Sequence, residues 1–210
     1  IKIECHVPTH SLINYAHWGI VSPESHLLDL EEADGYIAQV WTGTARTPNV
    51  FRNVAKERTF EAGLLEYAQM LSMARPAGRK VWLLADPVED NPDRTWADYK
   101  VNYECTVVAS LLHPEATRFE VMPWPNRIFE GQYPASLDKD APRVGISPEY
   151  ATQLLAVIDA LNHMGMEPPV ADLGDRGIAV IVSDTMMFQR AAPPRGFPKP
   201  AFRQGSGLCW

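Results

Sequence analysis

The chain has 210 residues, 46% of them hydrophobic and 21% charged, which is globular composition with length enough for one good core or two small ones. Its net charge of −7 opposes a phosphate backbone, and no apolar run approaches the roughly 20 residues that span a bilayer, so neither nucleic acid nor a membrane is an expected partner. Three cysteines (Cys5, Cys105, Cys209) with no CxxC make no disulfide framework and fit free thiols in a reducing, cytoplasmic compartment.

The first residues, IKIECHVP, hold no long apolar stretch of the signal-peptide kind, and the chain opens on Ile rather than Met, as a processed chain or a fragment does. IKIECHV is a short alternating run and predicts a strand. GYIAQVW (35–41) predicts a second. Phe60, Leu64, Leu65, Ala68 and Leu71 then recur at helical spacing until Pro76-Ala-Gly78 stops them. KVWLLAD (80–86) is a third strand, nearly continuous in apolar residues, as a strand covered on both faces should be.

Thr95 to Asp98 has the form of a capping box with Asp in place of Glu. It opens a helix carrying Tyr99, Tyr103, Val107, Leu111 and Leu112, ended by Pro114. TRFEVMPW (117–124) predicts a fourth strand. Ser147-Pro148-Glu149 starts a further helix with Ser as N-cap and Pro at N1. GIAVIVSD (177–184) predicts a fifth strand. Strands alternating with helices argue for α/β architecture built of parallel βα units, which a barrel and an open sheet fit equally well. The Gly- and Pro-marked stretch 125–146 is the best internal boundary, and the last 20 residues, rich in Pro and Gly, read as an irregular tail.

Catalytic groups of βα enzymes collect at the carboxyl ends of the strands, where the βα loops form the active face. That rule sorts the acidic residues. Asp86 ends the third strand, Glu89 follows in an acidic, proline-bracketed loop, Glu120 lies inside the fourth strand, and Asp184 ends the fifth. Each has a plainer role open to it: Asp86 and Asp184 as turn or cap residues, Glu120 as an outward or salt-bridged residue, Glu89 as a solvated loop charge. Trp41 and Trp124 stand at strand ends, where a flat ring beside carboxylates suits a sugar, although core packing is the commoner use of Trp.

No metal is expected. Cys5, His6 and His10 are close in sequence, but no HExxH or CxxC supports them and strand alternation sends Cys5 and His6 to opposite faces. No GxGxxG follows a strand, no GxxxxGK[ST] occurs and no GxSxG elbow is present, so no cofactor is expected either.

The runs HVPTHSLINYAHW, YIAQVWTGTAR, VWLLADPVEDNP and FEVMPWPNRIF together resemble the second half of the (β/α)8 barrel of clan A glycoside hydrolases, most of all bacterial β-galactosidase-type enzymes. The resemblance implies a partial TIM-type barrel followed by the start of a second, flavodoxin-like α/β domain: half-barrel units over 1–142, the second domain from 143 to 190, and the tail over 191–210. It implies hydrolysis of a glycosidic bond by carboxylates, with Asp86 as first choice for nucleophile, Glu89 second, and Glu120 supporting or alternative. Asn14, Trp41 and Trp124 would contact the saccharide. The family has Glu where this chain has Asp86, and its acid/base precedes the matched region. The alternative is a non-catalytic carbohydrate-binding or assembly fragment. An unrelated small α/β hydrolase has no nucleophile motif behind it. Exposed strand edges of a half-barrel would favour a homo-oligomer.

Overall fold

The structure is a computed structural model. It describes residues 3–8, 28–40, 46, 48–88 and 92–164, with β1 and Asn49 described by backbone alone. Among these residues four strands form one parallel sheet: β1 (Ile3–Pro8), β2 (Ala33–Val40), β5 (Lys80–Ala85) and β6 (Phe119–Glu120), lying in that order. The register pairs Val7 with Ala38, Ala38 with Leu83, and Leu83 with Phe119. The first three expected strands are thus present and parallel. The fourth is shorter than expected, two residues rather than eight, and the fifth lies outside the described residues.

Among the described residues two helices join these strands: α1 (Thr59–Ala74) between β2 and β5, and α2 (Trp96–Leu111) between β5 and β6. Strands added in one direction by right-handed crossovers place their helices on one face. Accordingly α1 and α2 pack together, and one core cluster holds Tyr36, Ala38 and Val40 of β2, Val81 and Leu83 of β5, Ala62, Tyr67, Met70 and Leu71 of α1, and Ala109 of α2. The helices meet at a small-residue crossing. A Cβ built on Gly63 would sit 3.5 Å from the Ala109 Cβ and 3.8 Å from a Val40 methyl.

The helix starts follow their sequence signals. The Thr95 hydroxyl accepts the Asp98 N–H at 3.2 Å, and the Ser147 hydroxyl accepts the Tyr150 N–H at 3.3 Å at the head of α4 (Pro148–Met164). The buried face of α1 is shifted from the expected one. Thr59, Ala62, Gly63, Glu66, Tyr67, Met70, Leu71 and Ala74 are inside, while Phe60 and Leu64 are only partly covered. A count of large apolar residues overlooks Ala62, Gly63 and Glu66, all of them buried, and Gly63 is where the helix lies close to Val40 of β2.

Elements the sequence did not announce fill the long connections. A hairpin of β3 (Asn49–Phe51) and β4 (Val54–Lys56) interrupts the β2–α1 link, turning on Arg52 and Asn53. After β6 come a short helix α3 (Pro125–Phe129) and a second hairpin, β7 (Tyr133–Pro134) with β8 (Arg143–Val144). A division at 142/143 cuts this second hairpin. Tyr150 and Leu154 of α4 join Ala85, Val88, Trp96, Tyr99, Tyr103, Val107, Ile128 and Tyr133 in a second core cluster beyond the end of β5.

Candidate functional site at the carboxyl ends of the strands

Asp86 leaves β5 where the strand ends, and it is 3% exposed. One carboxylate oxygen accepts the Val88 N–H at 3.0 Å, closing the turn through Pro87. The other lies 3.7 Å from an Arg127 guanidinium nitrogen. Arg127, from α3, also donates to the Val88 carbonyl at 3.1 Å and lies over the Trp124 ring, 5.5 Å from its centroid. The Tyr150 hydroxyl donates to the Pro87 carbonyl at 2.8 Å. Asp86, Arg127 and Trp124 therefore form one connected group, held by α3 and α4.

An aromatic wall backs this group. Trp96 meets Tyr133, Tyr99 and Tyr150 edge-on, with ring centroids 4.7, 6.0 and 6.0 Å apart, and Tyr103 meets Tyr150 at 6.3 Å. Such edge-to-face contacts add to the burial of the rings. The hydroxyls of Tyr103 and Tyr150 are held well above the ordinary phenol range. Burial is the main cause for both, and the Asp86 charge adds to it. They remain donors across the physiological range.

The sheet presents a different chemistry on the face away from α1 and α2. Side chains alternate along a strand. Ala38, Val40, Leu83 and Phe119 pack into the helix-side core, so Gln39, Leu84 and Glu120 point the other way. The register places these three in one row, Gln39 beside Leu84 and Leu84 beside Glu120. Leu84 is fully buried, and Gln39 and Glu120 are half-buried. Two hydrogen-bonding side chains thus flank an apolar one in the last rows of the parallel sheet.

A charged cluster fixes the loops above. Arg46, 4% exposed, binds Glu57 through two nitrogens at 3.1 Å each, and binds both carboxylate oxygens of Asp98. Arg94 lies 3.5 Å from Glu57 and 3.9 Å from Asp98. The foot of the first hairpin is thereby tied to the first turn of α2, where an acidic residue also suits the helix dipole.

A scan of family models, a search of curated proteins and a search of solved structures each return no match to this chain.

Among the sequence-predicted site residues, Asp86 and Trp124 come together through Arg127. Trp124, 37% exposed, is the N-cap residue of α3 and not the last residue of a strand. Glu120 lies on the strand next to β5, at the level of Leu84. Glu89, Asn14, Trp41 and Asp184 lie outside the described residues. Among the described residues no cluster of His, Cys, Asp or Glu could hold a metal ion, and no helix is long and apolar enough to cross a membrane. The Cys105 thiol is free and half-buried, and burial pushes its titration upward. Sequence reasoning missed Arg46, Arg127 and Gln39. Only Gln39 had a legible signal, as the polar member of the otherwise apolar run 35–41.

Proposed function

We propose that this chain is part of a carbohydrate-hydrolysing (β/α) barrel whose saccharide site lies at the carboxyl ends of β2, β5 and β6. The observation that supports this most is the Gln39–Leu84–Glu120 row on the face away from the helices. Strands that follow one another in chain order, with the crossover helices α1 and α2 on one side, are how a barrel is wound, and its inner face then carries the polar groups that meet substrate.

On this reading Glu120 is the carboxylate that meets the sugar. Asp86, the first choice from sequence, is committed to the Val88 N–H and lies beside Arg127, so it acts as a positioning residue for Arg127 and the turn. A carboxylate mechanism needs a second acidic group, roughly 5–5.5 Å away for retention or 6.5–9.5 Å for inversion, and Glu89 is the candidate. Trp124 offers its ring as a stacking platform and Gln39 a hydrogen bond to a hydroxyl. No cofactor enters this chemistry. The chain pairs with a second copy to cover its strand edges.

The buried, engaged state of Asp86 favours a second reading, saccharide binding without turnover. A panel of 4-nitrophenyl glycosides, with the β-galactoside first, separates the two. Release of 4-nitrophenol that falls about 10²- to 10⁴-fold in Glu120→Gln supports hydrolysis by this carboxylate. Binding of the matching free saccharide without release supports the second reading, and neither binding nor release removes both.

A further inference from the structure

Resting on the saccharide reading above, we propose that the first hairpin is an anion-reading arm of the site and that the saccharide is acidic, a chain bearing carboxylates as oligouronates do. From Val50 to Glu57 every side chain is exposed, including the large apolar Val50, Phe51 and Val54. Arg52 and Lys56 alternate with them along the hairpin, and Arg58 follows, its guanidinium donating to the Lys56 and Val54 carbonyls at 3.3 and 3.1 Å. The Arg52 guanidinium lies 5.2 Å from the Phe51 ring centroid, and that of Arg58 lies 5.8 Å from it. Glu57, the one acid between 49 and 58, is turned to Arg46 and Arg94, so the hairpin presents cations on a chain whose net charge is −7.

The turn itself holds charge at the tip. Arg52 has φ 48° and Asn53 φ 62°, the left-handed geometry of a two-residue hairpin turn. Asn or Gly suits the first of those positions better than Arg, so the cation sits there at a backbone cost.

An aromatic ring with a guanidinium beside it suits a sugar that carries a carboxylate. The ring takes the C–H face and the guanidinium takes the acid in two parallel hydrogen bonds. The same ring-and-guanidinium pairing recurs at Trp124 and Arg127, there with the charge shared with Asp86 and one N–H given to the Val88 carbonyl. One pair follows β2 and the other follows β6, and the strand order places β5 between them. The foot of the hairpin is tied through Arg46 to the first turn of α2, the helix that starts beyond the Asp86 turn. Two separated cationic pairs fit a chain with one charge per sugar, whereas a nucleic-acid duplex calls for a continuous basic track.

The test is calorimetric titration of the full chain with an oligogalacturonate and with a neutral galacto-oligosaccharide of equal length. Tighter binding of the oligogalacturonate, weakened by raising NaCl from about 50 to about 300 mM, is the expected result. Arg52→Gln with Lys56→Gln, both exposed and outside the core, should weaken the acidic ligand roughly three- to tenfold and leave the neutral one unchanged. Equal affinity for the two saccharides, or an unchanged double variant, overturns the proposal while leaving the saccharide reading standing. Binding of neither overturns both. A change in sedimentation mass in the variant, without a change in saccharide affinity, makes the hairpin a contact between copies and also overturns it.

Discussion

Asp86 holds a backbone N–H on one oxygen and faces a guanidinium with the other, while its own turn is gripped by Tyr150 and Arg127. Removing it leaves a buried N–H and a half-buried cation without their carboxylate. Asp86→Ala should therefore lower stability by about 2–4 kcal/mol, and Asp86→Asn, which keeps the Val88 bond, by about half as much. Urea midpoints of the two variants check this, and an Ala variant as stable as the parent would show that the turn does not depend on the carboxylate. His113 supplies a second residue-scale expectation. Its ring bonds the Leu64 carbonyl at 3.1 Å, and burial holds its titration below the ordinary 6.5, against smaller opposing effects of Glu115 and the Leu64 carbonyl. The folded form binds the proton less readily than the unfolded form, so stability is fully present above pH 6.5 and falls as pH drops from there through the folded value. His113→Gln should flatten that slope in thermal melts taken between neutral and mildly acidic pH. An unchanged slope would assign it to other groups. Asp86 stood out in sequence because an apolar run ends on it. Its partner Arg127 did not, because nothing local links a residue 41 positions further on to the end of β5.

The elements with chemical punctuation were legible. Thr95 with Asp98, and Ser147 with Pro148, mark helix starts by the hydrogen bonds they make, and the structure shows both bonds. The elements without punctuation were not. The first hairpin turns on Arg52-Asn53, a pair outside the Asn-Gly and Asp-Gly signals that usually announce such turns. The 117–124 run keeps only two residues in the sheet, because Pro123 and Pro125 cannot donate to a ladder and the chain turns into α3 instead. Two glycines test the packing of the elements from opposite sides. At Gly63 an added Cβ finds ordinary contact distances, so Gly63→Ala should stabilise by about 0.5–1 kcal/mol through helix propensity. At Gly35 an added Cβ would lie 2.5 Å from Trp82 Cζ3 and 3.0 Å from the Lys80 carbonyl, so Gly35→Ala should destabilise the β2–β5 pairing by about 1–3 kcal/mol. Denaturant midpoints of opposite sign would bear out both contacts, and shifts of the same sign would refute one of them.

At the scale of the molecule, the alternation of strand and helix patterns carried the α/β class and the parallel neighbours, since periodicity and loop length are local properties that sum to topology. The strands that precede Trp41, Asp86 and Trp124 are adjacent and parallel. What sequence could not supply is which side chains share a face above those strands. That depends on register, and a shift of one residue exchanges the faces. The observed register turns Gln39 and Glu120 away from the helices, and it is this that makes the carboxyl ends of the strands the saccharide site in our account. Hydrogen–deuterium exchange of the full chain, with and without saturating oligogalacturonate or neutral galacto-oligosaccharide, tests that placement directly. Slowed exchange in the 86–88 turn and across 119–128 is the predicted result, whereas protection confined to the outer faces of α1 and α2, or none with either saccharide, would contradict it.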